Sequence, residues 1–151
     1  MSSRRSDLDL ALVIVAVDDL AAAVRFWTEL TGWVLTDDAP VYHEMRSPSG
    51  TRLGLYTREA FAENLGVAAA GLAAGPLMPA EVYLAAHDVA EAAARAERLG
   101  ASVLAPAEVK PWGDTVAYVL APGGFVVGFA SPAPTSVALV PEAVAEPGAG
   151  I

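Results

Sequence analysis

Two stretches of this chain carry the same punctuation in the same order. Asp19-Leu20 closes a β-branched apolar run and opens an amphipathic one, and Asp88-Val89 does the same at an offset of 69 residues. Further on, Pro48, Gly50 and Gly54 are matched by Pro122, Gly124 and Gly128 at an offset of 74. Offsets that differ by a few residues are what loop-length drift leaves inside a duplicated unit. Duplication constrains the fold strongly, because one short plan has to satisfy both copies.

That plan reads from local signals. "LALVIVAV", Leu10 to Val17, is short, β-branched and bounded by two aspartates, so it is expected to be a strand. Asp19 then caps a helix running to about Thr31, with Leu20, Ala23, Val24, Trp27 and Leu30 on one face and Gly32 as its stop. "WVLTDD", "VYHEMRS" and "TRLGLYT" follow as three strands, the last two joined by the turn "SPSG". In the second copy "EVYLAAHD" is a strand, Val89 to Leu99 a helix stopped by Gly100, and "SVLAP", "TVAYVLAP" and "FVVGFAS" three strands with "APGG" as the last turn. Each unit is therefore βαβββ, of α+β class. The expected modules are about 9–57 and 79–131, forming a single domain over 1–131. A connector at 58–78 holds a short helix in "REAFAENLG", and residues 132–151 form a flexible tail in which "SVALV" is a candidate edge strand.

Composition removes several function classes. With 151 residues and 54 % hydrophobic side chains, the chain suits one domain built of two halves. Nine Lys and Arg against 18 Asp and Glu give a net charge of −9, which disfavours nucleic acid and anionic membranes as partners and favours a cationic or neutral small ligand. There is no cysteine, so disulfides, thiolate metal sites and cysteine nucleophiles are excluded, and a cytoplasmic location is expected. The apolar run near the start is too short for a signal sequence, and no stretch approaches a membrane span. "LGVAAAGLAAG" lacks a preceding strand and reads as connector, not as a nucleotide loop. No nucleophile elbow accompanies the serines.

The duplicated βαβββ unit, the Asp-Leu helix cap, the "FW" pair in the first helix, "PWG" before the penultimate strand and "PxG" in each final turn together resemble the vicinal oxygen chelate superfamily, the glyoxalase, bleomycin-resistance and extradiol-dioxygenase group. The resemblance covers about Leu10 to Ser131. It implies curled mixed sheets around a concave pocket, helices on the convex side, and a homodimer. Enzymes of that group place metal ligands at the start of each unit's first strand and the middle of its last, which here are Leu12, Gly54, Glu81 and Gly128. Three of the four cannot coordinate, and a divalent metal needs three or more protein ligands, so no metal and no cofactor is expected.

A pocket lining follows from strand alternation. With Val13, Val15 and Val17 packed on the helices, Leu12 and Ile14 face the pocket, joined by Arg52 and Tyr56, Glu81 and Tyr83, and Tyr118 where the register allows; Trp112 falls on the rim. The two glycines are expected to leave room there for a bulky group. His43 lies on the opposite strand face from Tyr42 and Glu44, and joins the site, beside Glu81, only where its face is the concave one. His87 reads as a residue of the strand-to-helix junction. Such an apolar and aromatic lining suits capture of a hydrophobic or cationic small molecule, with antibiotic resistance as one outcome. The alternative is a metal-independent or atypically metallated lyase, isomerase or hydrolase with Glu81 as general base, unless Arg52 neutralises that carboxylate.

Overall fold

Both copies of the repeat fold to a four-stranded mixed sheet with one crossover helix in the computed structural model, which describes Asp7, residues 10–72, Met78 and residues 80–132. The chain divides into two units, with the division after Leu72. In the first, β1 (Val13–Val17), α1 (Leu20–Thr31), β2 (Val34–Ala39), β3 (Tyr42–Arg46) and β4 (Arg52–Thr57) give the strand order β1-β4-β3-β2, with β1 and β4 parallel. Helix α2 (Arg58–Leu65) follows β4 directly, and a 3-10 turn lies at Ala69–Leu72. In the second, β5 (Glu81–Ala85), α3 (Val89–Arg98), β6 (Ser102–Val109), β7 (Thr115–Ala121) and β8 (Phe125–Ser131) repeat the order as β5-β8-β7-β6.

The register shows that the two sheets are copies of one design. Gly54 lies opposite Ile14 on one side and Glu44 on the other; Gly128 lies opposite Tyr83 and Tyr118. Ile14 to Tyr83 spans the offset of 69, while Gly54 to Gly128 and Glu44 to Tyr118 span that of 74. Both sequence offsets thus coexist in one ladder, and the five-residue difference is absorbed between the first strand of each unit and its last two.

Local chemistry sets the helix ends. Asp19 is extended and its carboxylate accepts from the Ala22 amide at 3.0 Å; Asp88 does the same for the Glu91 amide, also at 3.0 Å. Gly32, at φ 70°, adopts the left-handed cap that a side chain would disfavour, and its amide donates to the Thr28 carbonyl. Between its caps α1 buries Leu20, Ala23, Phe26, Trp27 and Leu30. Phe26 takes a buried place beside Trp27, the two rings meeting edge to face at 5.7 Å, whereas Val24 is only half-buried. Val15, Val17, Met45, Leu53 and Leu55 form the buried strand face of this unit. In α3 the buried residues are Val89, Ala92, Ala93 and Ala96, small groups that let the helix lie close to β7 and β6.

Two strand boundaries differ notably from the reading of the sequence. β1 begins at Val13, not Leu10: its parallel ladder with β4 runs from Val13 opposite Leu53 to Val17 opposite Thr57. At that frayed start Val13 is 46 % exposed, so only Val15 and Val17 of the three valines are buried. β6 continues through Pro106 to Val109; it is the edge strand of its sheet and is irregular around the proline, where a missing amide hydrogen is tolerated. The expected edge strand "SVALV" lies outside the described residues.

Candidate functional site

On the second sheet, Gly128 marks where side chains gather. A Cβ built on it would stand 2.9 Å from Glu81 Oε2, 3.1 Å from Tyr83 Cδ1 and 3.2 Å from Tyr118 Cε1. Absence of a side chain at Gly128 is therefore what lets three neighbours lean over the centre of the sheet. The expectation of open room above the glycine is corrected: space freed by the missing ligand is filled by the adjacent strands' own side chains. Tyr118, whose register the sequence left open, shares this face.

Tyr83 is fixed from both sides. Its hydroxyl donates to Asp114 Oδ2 at 3.1 Å and accepts from the Trp112 indole Nε1 at 3.2 Å. Asp114 is 4 % exposed, and the turn that carries it is closed by the Lys110 amide donating to the Asp114 carbonyl and by Gly113 at φ 99°. Burial raises the Tyr83 phenol to about 12, with the Trp112 bond lowering and Asp114 raising it. The Lys110 ammonium lies 5.5 Å from the Tyr118 ring centroid and pairs with Glu108 at 2.6 Å.

Glu81 differs from the other carboxylates of the two sheet centres. Among the described residues its carboxylate makes no hydrogen bond and no ion pair. The residue is exposed at the start of β5, yet its carboxyl end is partly withdrawn from water, and that desolvation holds its pKa above the usual carboxylate range. Tyr118 reports the same neighbourhood, its phenol raised by burial first and by the Glu81 charge second.

The first sheet carries a closed version of this arrangement. Tyr42 donates to Glu44 Oε1 at 2.7 Å and Arg52 Nη1 to Glu44 Oε2 at 3.0 Å, so both carboxylate oxygens are engaged. Gly54 lies beneath Tyr42, whose Cε1 and Cζ would stand 2.7 and 2.8 Å from an added Cβ. Tyr56 packs on Tyr42 with ring centroids 4.7 Å apart, and its hydroxyl accepts from Asn64 Nδ2 at 2.9 Å. Burial, and then the bond to Glu44, push the Tyr42 phenol above its ordinary range.

These placements sort the residues singled out from sequence. Glu81, Tyr83, Trp112 and Tyr118 form one cluster; Ile14, Arg52 and Tyr56 share the first sheet's face. Leu12 is half-buried just outside β1, beside a groove of about 270 Å³ between the starts of β1 and β4. His43 is paired in register with Leu55 and so lies on the buried core face, across the sheet from Tyr42 and Glu44; its Nδ1 is buried with no partner. The reading in which Arg52 neutralises Glu81 is corrected, since the guanidinium is held by Glu44. Tyr42, Glu44, Lys110 and Asp114 were not singled out. The signal for two of them was present: a hairpin turned at "SPSG" brings residue 44 opposite 54 and 42 opposite 56, joining an acid to Arg52 on one face.

The donor set does not fit the metal that the fold type implies. Gly54 and Gly128 supply no side-chain oxygen or nitrogen, Leu12 is apolar, and Glu81 alone remains of four positions. Among the described residues no group of three or more His, Cys, Asp or Glu converges.

Comparisons with known proteins agree with this architecture. A family model described as a glyoxalase-like domain matches residues 12–128. In structure the chain is similar to a glyoxalase-related enzyme from Fulvimarina pelagi, at 24 % identity, a TM-score of 0.70, and coverage of 82 % of this chain and 88 % of that one. It is similar to a glyoxalase/bleomycin resistance protein/dioxygenase family enzyme from Burkholderia phytofirmans PsJN, at 16 % identity, 0.73, and 82 % and 98 % coverage. A glyoxalase/bleomycin resistance protein/dioxygenase from Nocardioides matches at 22 % identity, 0.64, and 90 % and 89 % coverage. At these identities the likeness is one of fold. A comparison with the curated proteins found no match. Among the described residues no helix is long and apolar enough to cross a membrane.

Proposed function

Because the chain belongs to the glyoxalase-like family of the vicinal oxygen chelate superfamily, we propose that it is a metal-free member that binds a hydrophobic or cationic small molecule without transforming it. The observation that carries this reading is the pair of glycines at the ligand positions of both last strands, each overlaid by aromatic side chains. Trp112 and Tyr83 supply flat apolar area, and their mutual hydrogen bond and the buried Asp114 hold them in place before a ligand arrives. Rigid aromatic anchors of this kind lose little conformational entropy on binding. The working state is a homodimer in the cytoplasm, and sequestration of an antibiotic is one use of such a protein.

Calorimetric titration of the purified protein against a broad panel of aromatic natural products, with and without chelator, tests the proposal. Micromolar or tighter binding is expected to survive the chelator, and Trp112→Ala to weaken it by roughly tenfold or more. Failure of every compound to bind, or a stoichiometric transition metal in elemental analysis, would overturn it.

One observation favours a second reading. The Glu81 carboxyl, unpaired among the described residues and with its pKa raised by desolvation, is suited to accept a proton as general base. Ligand consumption that Glu81→Gln abolishes, with binding retained, would select catalysis over sequestration.

A further inference from the structure

The two sheet centres are equivalent in register but not in charge balance. At the first, the Glu44 carboxylate is saturated by Tyr42 and Arg52. At the second, the position equivalent to Glu44 is Tyr118, and the carboxylate comes from Glu81 at the start of β5, with no hydrogen bond or ion pair among the described residues. The nearby cation, Lys110, is paired instead with Glu108 at 2.6 Å. What stands over Gly128 is thus one uncompensated negative charge with an aromatic ring contributed from each neighbouring strand.

We infer that this face of the second unit is a subsite for an organic ammonium ion, with Glu81 as its counter-ion and the rings of Tyr83 and Tyr118 as its walls. The inference rests on the small-molecule-binding reading above and names the ligand group that this part of the site recognises. A carboxylate attracts any cation; two phenol rings make the choice narrower. Ring faces attract alkylated ammonium groups, which are weakly hydrated, and offer no lone-pair coordination to a hard metal ion. One carboxylate without further donors is likewise too few ligands for a divalent ion. The Tyr118 ring already has an alkylammonium near it, the Lys110 head 5.5 Å from its centroid. Tyr83 is kept from rotating by Asp114 and Trp112, so its ring is presented in a fixed orientation. The net charge of −9 adds a favourable field for a positive ligand.

Choline and its neutral isostere 3,3-dimethylbutanol make the direct probe, followed on the full chain by tyrosine and tryptophan fluorescence and by NMR titration. Wild type is expected to bind choline roughly tenfold or more tighter than the alcohol, and Glu81→Gln to erase that preference. Tyr118→Phe keeps the ring and should retain the preference, whereas Tyr118→Leu should lose it. Glu97→Gln, which removes the same charge from the exposed side of α3, should leave it intact. Matched thermal melts establish that each variant is folded. Equal affinity of wild type for both probes, an unchanged preference in Glu81→Gln, or no choline binding at all overturns the inference. If aromatic compounds of the broader panel still bind in that case, the binding-protein reading stands alone; if they also fail, both readings fall.

Discussion

Gly54 and Gly128 occupy the same place in the two sheets, yet a methyl group added at each meets different resistance. At Gly54 it meets the Tyr42 hydroxyl and ring, Cε1 at 2.7 Å, and a rigid ring can yield only by leaving its bond to Glu44. Gly54→Ala is expected to cost about 1–3 kcal/mol in denaturant unfolding. At Gly128 the closest atom is a carboxylate oxygen at the end of a flexible chain, and the rings need to shift by only tenths of an ångström. Gly128→Ala should stay within about 1 kcal/mol of wild type, and equal losses at the two sites would contradict this account. Glu81 supplies a pH test. Its raised pKa means that the folded state holds the proton more tightly than the unfolded chain. The corresponding stability is fully present below the ordinary value of 4.5 and is lost as the pH rises through the folded value. Glu81→Gln resembles the protonated form, so its melting temperature should match wild type near the acid end and exceed it progressively towards neutrality. A constant difference across that range would contradict the assignment.

At the level of elements, the repeat predicts repeated energetics. Asp19 and Asp88 make the same cap at the same 3.0 Å, so Asp19→Ala and Asp88→Ala should each cost about 1 kcal/mol, with Asn largely restoring both. A cap loss at one site only, measured by chemical denaturation, would mean that the two helices are not equivalent. Helix positions and turns were legible because Asp caps, Gly32, Gly100 and the Pro-Gly turns act locally. Strand limits were less so. The extent of β1 depends on its pairing with β4, some forty positions along the chain, and β6 runs through a proline because its outer edge has no neighbour in the sheet. Neither condition is written in the strand itself.

For the whole molecule, the family resemblance carries an assembly expectation: sedimentation at micromolar concentration should give twice the 15.5 kDa mass of the chain, and a monomer at all concentrations would refute it. The sequence by itself determined the duplication, the βαβββ order, the helix caps and the loss of metal-donor chemistry at Leu12, Gly54 and Gly128, because these depend on residue identity and spacing alone. It also placed Glu81, Tyr83 and Gly128 on one face, since alternation and the two offsets fix that much. Only the tertiary structure decided how charge is balanced there. Arg52 belongs to Glu44 because the hairpin places them on adjacent strands of one face, and His43 turns to the core because it is in register with Leu55. Among the described residues Glu81 is left unpaired, because its partner across the ladder is Val126 and the chain's single lysine, Lys110, is held by Glu108. Pairing of side chains is a property of three-dimensional proximity, and that proximity is set by strand register, which no single segment encodes.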